Sequence, residues 1–278
     1  MPIITFWSNN EKAIGQTVSA VLASTVMAIE QNYKILLISV DINNNRMEGC
    51  FGALESNKEI VKNLVKTTQI NLDSGVKGLM KLADSNRITP EIIHDYTKII
   101  FKNRLEVLYS PTNISEENEK SKIMGHMKNI ILNASRYYDQ VIIDLEKGFK
   151  YAEQLEILNM SDVIVANVDQ NIQTIEKFLS QEEINSMKNK LIWNICRYDK
   201  NSKYNTKNLS RTILKGQNIC STCYNTLVLD ATQEGAIAEL LLRLKTIKNE
   251  DDNKVFMEEI KQLNEKILLK YQETRMKM

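Results

Sequence analysis

The first forty-one residues constrain the fold more than any other stretch, because they read as one strand–helix–strand unit. Apolar residues fill Ile3–Trp7 and Ile35–Val40, which predicts two buried strands of a parallel sheet. Between them, residues 8–15 read as a loop and residues 17–30 carry apolar side chains at helical spacing. A helix that opens directly after a strand and loop favours anions, because its first N–H groups are unpaired. The sequence therefore predicts a phosphate-type site near the amino terminus.

The loop has part of the P-loop pattern G-x-x-x-x-G-K-[ST]. Gly15 and Thr17 match the second glycine and the hydroxyl residue, whereas Asn10 replaces the first glycine and Gln16 replaces the lysine. An ordinary strand-to-helix turn, in which Gly15 supplies backbone freedom, explains the same residues. Both interpretations stay open on this segment alone.

Composition excludes few partners. Thirty-six basic and thirty-five acidic residues give a formal charge of +1, so overall charge selects neither nucleic acid nor membrane nor an acidic substrate. No signal-type segment is evident at the amino terminus, and the most apolar window, 18–29, is too short to span a bilayer. We expect a cytoplasmic protein.

The cysteines and histidines give little support to a zinc site or to nucleophilic catalysis. Cys220 and Cys223 have C-x-x-C spacing, but a zinc site needs two more ligands, and the two remaining cysteines and two histidines are distant in sequence. Packed or idle reduced thiols are the favoured interpretation. Neither His94 nor His126 stands beside a plausible nucleophile, which disfavours Ser-His or Cys-His catalysis.

The rest of the chain alternates strands and helices. Apolar runs predict further strands at 105–109, 140–145, 163–168, 191–195 and 227–229. Helical patterns occur at 59–69, 76–83, 89–100, 115–137, 172–179 and 231–248. This alternation predicts an α/β fold with a mostly parallel central sheet covered by helices on both faces. We expect a nucleotide-binding domain at 1–248 and a C-terminal helical extension at 249–278, whose apolar stripe we expect to pack on the body.

Two strand ends carry polar residues suited to a site. The strand at 140–145 ends at Asp144 and Leu145 and is followed by Gly148, the pattern of a Walker B strand, although a plain buried strand gives the same pattern. Asn194, in the strand at 191–195, offers both a donor and an acceptor, which suits the edge of a purine. Polar strand ends in a parallel sheet meet at one edge.

A basic stripe follows the last of these strands. Lys203, Lys207, Arg211 and Lys215 recur at four-residue steps, so on a single helix they would share one face. Such a face can contact DNA or a membrane surface, but a solvated face is favoured because the overall charge is balanced.

The order of these segments resembles the ParA/MinD family of deviant-Walker P-loop ATPases. The resemblance rests on the segments ITFWS, KILLISVD, YDQVIIDLEKG, SDVIVANVDQNIQTIEKF and ATQEGAIAEL, in that order. The degraded loop and the segments NVDQN, RYDKNSKYNTKNLSR and CYNTLVLDA are similar to the TadZ/CpaE-like branch. That branch helps to place tad-type pilus machinery.

The resemblance implies roles for individual residues. Thr17 matches the magnesium-ligating hydroxyl and Asp144 the Walker B carboxylate. Asp41 matches the second aspartate of the family's D-x-D switch, which orients the attacking water, and Ser39 replaces the first. The implied site residues are Asn10, Lys12, Gly15, Gln16, Thr17 and Asn194 for ATP or ADP, Thr17 and Asp144 for magnesium, and Asp41 for catalysis.

Two departures from the family pattern concern positive charge. Glu11 stands at the family's signature lysine and Gln16 at the P-loop lysine, while Lys12 is the neighbouring residue that can compensate. Because phosphoryl transfer depends on positive charge at the phosphates, each loss would slow hydrolysis by about 100-fold or more. The resemblance implies a homodimer with impaired or lost ATPase activity that acts as a localisation or assembly factor for a tad-type pilus or secretion apparatus. Its expected partners are the assembly proteins of that apparatus. A slow partition-type ATPase that binds DNA non-specifically and a nucleotide-free interaction scaffold are the alternatives.

Overall fold

A computed structural model describes residues 1–10, 12–52, 75–85, 87–246 and 252–276. The helix predicted at 59–69 lies outside these residues, as does Glu11.

Eight strands form one sheet in the order β3-β4-β2-β5-β1-β6-β7-β8. The strands are β1 Ile3–Trp7, β2 Ile35–Val40, β3 Lys98–Phe101, β4 Leu105–Leu108, β5 Gln140–Leu145, β6 Val163–Val168, β7 Leu191–Tyr198 and β8 Asn218–Cys223. All pairs are parallel except β3 with β4. The chain passes from β1 towards β2 on one side and later to β6 on the other, so the loops at the carboxyl end of β1 lie at a switch point of the sheet.

Helices connect the strands and cover the sheet. In the described residues they are α1 Gln16–Glu30, α2 Arg46–Phe51, α3 Gly75–Ala83, α4 Pro90–Asp95, α5 Glu117–Ala134, α6 Ala152–Met160, α7 Ile172–Leu179, α8 Glu182–Ser186, α9 Thr206–Arg211, α10 Thr226–Glu234, α11 Ile237–Lys245 and α12 Asp252–Arg275. A short 3-10 turn, Lys188–Lys190, precedes β7.

The apolar side chains divide between the two faces of the sheet. Trp7 belongs to a cluster with α5, α6 and α7, whereas its neighbour Phe6 belongs to a second cluster with α1, α11 and α12. Alternate residues of a strand point to opposite faces, so a continuously apolar strand such as β1 requires cover on both sides. The predicted fold class is thereby confirmed.

Three predicted elements were wrong. The helix predicted at 89–100 ends at Asp95, and β3 forms a hairpin with β4 in which Asn103 adopts the left-handed conformation, with φ 60°. The apolar run at 227–229 is helical, because the Asn225 side chain caps α10 by accepting from the Val228 N–H at 3.2 Å. The helix predicted at 231–248 is interrupted at Gly235, where φ is 71°.

The prediction of one helical face for the basic stripe was also wrong. Helix α9 contains Lys207 and Arg211, while Lys203 precedes it and Lys215 follows its end. All four side chains are exposed. The helix is too short to align them because Asn205 caps its start by accepting from the Asn208 N–H at 3.0 Å, and Thr212 leaves helical geometry.

Helix α12 packs on α1 and β8. Phe256, Ile260 and Leu263 are buried, and the Asn264 side chain donates to the Ala23 carbonyl of α1 at 3.1 Å. Lys261 pairs with Glu30 at 2.9 Å. The apolar stripe of the terminal helix is therefore used inside the protein.

Within the described part of the chain, no helix combines the length and the apolar character needed to cross a bilayer.

Candidate functional site

The loop between β1 and α1 is held by its own side chains. The Asn10 N–H donates to Ser8 Oγ at 3.0 Å, and the Lys12 N–H donates to Asn10 Oδ1 at 3.2 Å. Gly15 then precedes α1 in the left-handed conformation, with φ 97°, which glycine adopts without steric cost. The loop is a fixed turn that leads into a helix N-terminus at the carboxyl edge of the sheet.

Asn10 has an unusual environment. The residue is only 8% exposed, and its Nδ2 donor has no hydrogen-bond partner among the described residues. A buried donor without a partner costs free energy, so an acceptor from water or from a ligand would be favourable here. This donor stands where the P-loop pattern has its first glycine.

The Gln16 side chain points inward from the start of α1. Its Nε2 donates to Asp144 Oδ1 at 2.7 Å and to the Leu145 carbonyl at 2.6 Å, both in β5, and lies 3.3 Å from the Phe6 carbonyl in β1. An amide with two N–H groups is fully used by these contacts. Gln16 thus fastens α1 to the two central strands.

Asp144 lies beneath Gln16, only 1% exposed. Burial raises the pKa of Asp144 to about 7, although interactions with the side chains of Gln16 and Thr17 oppose the shift. The second carboxyl oxygen, Oδ2, has no partner among the described residues. Asp144 is therefore a carboxyl group with one oxygen in use and one unsatisfied.

Asp41 and Thr17 line an open groove of about 630 Å³ at the carboxyl edge of the sheet. The Asn44 side chain donates a short hydrogen bond to Asp41. Burial raises the pKa of Asp41, opposed by that bond and by the charges of Lys150, Arg46 and Lys147. The structure thus brings Asn10, Lys12, Gly15, Gln16, Thr17 and Asp41 to one groove.

Basic residues outnumber acidic ones in the groove, within the part of the chain that is described. The basic ones are Lys12, Arg46, Lys147, Lys150 and Arg197, and the acidic ones are Asp41 and Glu146. Lys150 forms an ion pair with Glu146. Of these five basic residues, only Lys12 was predicted from the sequence. The signal for the others was a basic residue at or just beyond the end of β2, β5 or β7.

Asn194 is placed away from this groove. It is fully buried, donates from Nδ2 to Ser19 Oγ at 2.9 Å and to Asn167 Oδ1 at 3.1 Å, and accepts from Thr222 Oγ1 at 3.1 Å. Its donor and acceptor are both engaged by protein groups. In this arrangement Asn194 joins α1, β6, β7 and β8.

An apolar cavity of about 110 Å³ adjoins the groove. The two share Ile14, Gly15, Val18 and Arg197, and the cavity continues to Phe256 of α12. This volume is below the roughly 300–1,000 Å³ that is usual for ligand pockets. The cavity can therefore take an apolar group of a ligand bound in the groove, but not a whole ligand.

The described residues contain no group of three or more histidine, cysteine or acidic side chains placed to hold a metal ion. All four cysteines are free. Burial raises the pKa of the Cys220 thiol to about 11 and that of Cys223 to about 12, where the nearby Glu259 carboxylate contributes. Thiols with such pKa values remain protonated and are poor nucleophiles.

A mostly parallel sheet, helices on both faces and an anion groove at a strand-to-helix loop define the class of α/β proteins built like P-loop nucleotide-binding domains. Solved structures narrow the fold to that of the ParA/MinD ATPases.

Three of them illustrate the likeness. A ParA family ATPase from Chlorobium tepidum superposes with a TM-score of 0.68 at 13% identity, over 96% of this chain and 98% of that one. A putative plasmid partition protein from Borrelia burgdorferi bound to AMPPNP superposes with a TM-score of 0.62 at 17% identity, over 97% of this chain and 98% of that one. The septum site-determining protein MinD from Pyrococcus horikoshii, complexed with Mg-ADP, superposes with a TM-score of 0.59 at 14% identity, over 97% of this chain and 98% of that one.

No protein-family model and no curated protein matches the sequence. At these identities the structural likeness establishes the fold.

Proposed function

We propose that this chain is a ParA/MinD-like nucleotide-binding protein with weak or absent ATP hydrolysis, which acts as a localisation or assembly factor. The observation that carries the proposal is the direction of Gln16. At the position of the P-loop lysine stands a neutral amide that donates to Asp144 and the Leu145 carbonyl.

The missing lysine charge at position 16 is expected to affect the rate of ATP hydrolysis more than the affinity for ATP. Backbone N–H groups at the start of α1 and the basic side chains of the groove favour an anionic ligand. Catalysis needs positive charge placed at the phosphate oxygens as negative charge develops there. Gln16 supplies no charge. The absence of the lysine's positive charge is expected to slow hydrolysis by about 100-fold or more.

The residues of the groove suit a nucleotide with magnesium. The unpartnered Asn10 Nδ2 is a donor for phosphate oxygen, and Gly15 leaves room for a close approach, since no atom lies within 4 Å of its Cβ position. Thr17 and Asp144 would hold magnesium, Asp144 through water, because Mg²⁺ binds by one or two oxygen side chains together with substrate phosphates. When bound, magnesium would neutralise phosphate charge.

In this proposal Asp41 orients the attacking water in whatever hydrolysis remains. The raised pKa of Asp41 reflects its burial. Asn194 supports the site indirectly, by hydrogen bonds that hold Ser19 of α1 and Thr222 of β8 in place.

The biological setting follows from the resemblance to the TadZ/CpaE-like branch. We propose a homodimer that binds proteins of a tad-type pilus or secretion apparatus, in the cytoplasm or recruited to the membrane or pole. The terminal helix is a poor candidate for membrane attachment, because Phe256, Ile260 and Leu263 are buried against the body.

The test combines nucleotide titration with a hydrolysis assay. Wild-type protein is expected to bind labelled ATP with magnesium and to release phosphate slowly, and Gln16→Lys is expected to raise the rate. Gln272→Lys, which adds the same charge at an exposed position of α12, is the matched control and should change nothing.

Two results would contradict the proposal. One is hydrolysis at an ordinary rate for ATPases of this fold with no gain in Gln16→Lys. The other is the absence of ATP binding, which would favour an interaction scaffold that uses no nucleotide.

A further inference from the structure

Arg197 has an irregular backbone at the carboxyl end of β7. The register of β7 with β8 shifts between Cys196 and Tyr198, so Arg197 is the extra residue of a bulge. Its φ is 53°, in the left-handed region that non-glycine residues rarely adopt. Bulges of this kind redirect a side chain, and strained residues concentrate at functional sites.

The redirected side chain lies where two spaces meet. Arg197 lines both the basic groove and the apolar cavity, as do Ile14 and Gly15 of the β1–α1 loop. The residue is exposed. Within the described ranges its guanidinium forms no hydrogen bond or ion pair, so five donors remain available.

Asn10 lines the same groove, and its buried Nδ2 has no hydrogen-bond partner among the described residues. Arg46 adds a second guanidinium from the start of α2, and Lys12 an ammonium from the loop. Cations from three separate segments of the chain, beside a donor that lacks a partner, fit one ligand class, a phosphate-bearing anion.

We propose that Arg197 binds the phosphate groups of the nucleotide and supplies, from β7, positive charge that the P-loop lacks at Gln16. The inference rests on the proposed function and names a specific residue of that site. A planar guanidinium binds two phosphate oxygens at once, and it is charged at every accessible pH. Arg46 assists from the other side of the groove.

The experiment measures ATP affinity by titration of labelled ATP with magnesium. Arg197→Asn removes the charge and keeps a residue that tolerates the left-handed backbone. The expected result is about 10- to 100-fold weaker binding, the range for loss of hydrogen bonds to charged groups. Arg211→Asn, an exposed arginine of α9 outside the groove, is the matched control and should bind as wild type does.

Two further measurements separate an effect on binding from an effect on folding. They are the ATP affinity of Arg197→Lys and the thermal midpoint of each variant without ligand. Lysine keeps the charge and should recover part of the affinity, and Arg197→Asn should keep the wild-type midpoint. If wild type binds ATP and Arg197→Asn binds it equally well, the assignment of Arg197 is overturned while the proposed function stands. If affinity and midpoint fall together without recovery in Arg197→Lys, the residue is structural and the inference is overturned. If wild type binds no ATP, both fail.

Discussion

Gln16 Nε2 lies 2.7 Å from Asp144 Oδ1, a hydrogen bond between residues 128 positions apart in the chain. It joins the first turn of α1 to the end of β5. An amide donor at this point satisfies a buried carboxyl oxygen without bringing a charge. The contact therefore combines a structural role with the loss of a cation from the candidate phosphate site.

Gln16→Ala is expected to lower the free energy of unfolding by about 2–4 kcal/mol. The change removes bonds to Asp144 and to the Leu145 carbonyl and leaves a buried carboxyl oxygen without its donor. Urea denaturation followed by circular dichroism measures the difference. Gln272→Ala, at an exposed position, should stay within about 0.5 kcal/mol of wild type. Equal stability of both variants would mean that the Gln16 contacts contribute nothing net.

Asp144→Asn is expected to change how stability depends on pH. The pKa of Asp144 is raised by burial to about 7 from 3.8 in an unfolded chain. Between these values the folded state binds more protons than the unfolded state, so this group makes wild-type stability fall as pH rises from about 4 to 7.

Asparagine keeps the oxygen that accepts from Gln16 and does not titrate. The variant should therefore gain stability relative to wild type as pH rises through this window, and the difference should level off above about pH 8. Thermal midpoints at half-unit pH steps measure it. A difference that is flat from pH 4 to 8 would contradict the raised pKa of Asp144.

The sequence predicted the elements whose signal is local. Continuous apolar runs located β1, β2 and β5, and Asp144 was recognised because it ends such a run. The direction of Gln16 was not predictable, because its acceptors come from β1 and β5 and depend on how those strands pair. Arg197 was missed for the same reason, since a bulge is a property of two strands, β7 and β8, and has no signature in one segment.

Phe256→Ala is expected to destabilise the protein by about 3–5 kcal/mol, the usual cost of removing a buried aromatic ring. Phe256 is 2% exposed and belongs to the same core cluster as α1. Leu269→Ala lies on the same helix but is 58% exposed, so it controls for helix propensity and should cost less than about 1 kcal/mol. Chemical denaturation of both variants is the measurement. A loss as small in Phe256→Ala as in Leu269→Ala would show that α12 is not part of the folded core.

A buried carboxylate at the opposite edge of the sheet predicts an acid-dependent loss of stability. Glu106 is 2% exposed, and it accepts hydrogen bonds from Tyr138 Oη, from His94 Nδ1 at 2.8 Å and from Thr97 Oγ1 at 3.0 Å. Lys34 Nζ lies 3.7 Å away. Burial acts to raise the pKa of Glu106, but these donors and the lysine charge together hold it below its usual 4.5.

A depressed pKa in the folded state gives stability that is present above about pH 4.5 and is lost as pH falls through the folded value. Tyr138→Phe removes one donor, so it should lower stability at pH 7 by roughly 1.5–3 kcal/mol. The gap to wild type should narrow as pH falls through the folded pKa of Glu106, because protonation removes the negative charge that accepts from Tyr138. Tyr33→Phe removes the hydroxyl of a tyrosine that is 37% exposed and should leave the acid transition unchanged. Thermal melts from pH 3 to 7 provide the comparison, and a gap that stays constant with pH would show that Tyr138 stabilises the fold by packing alone.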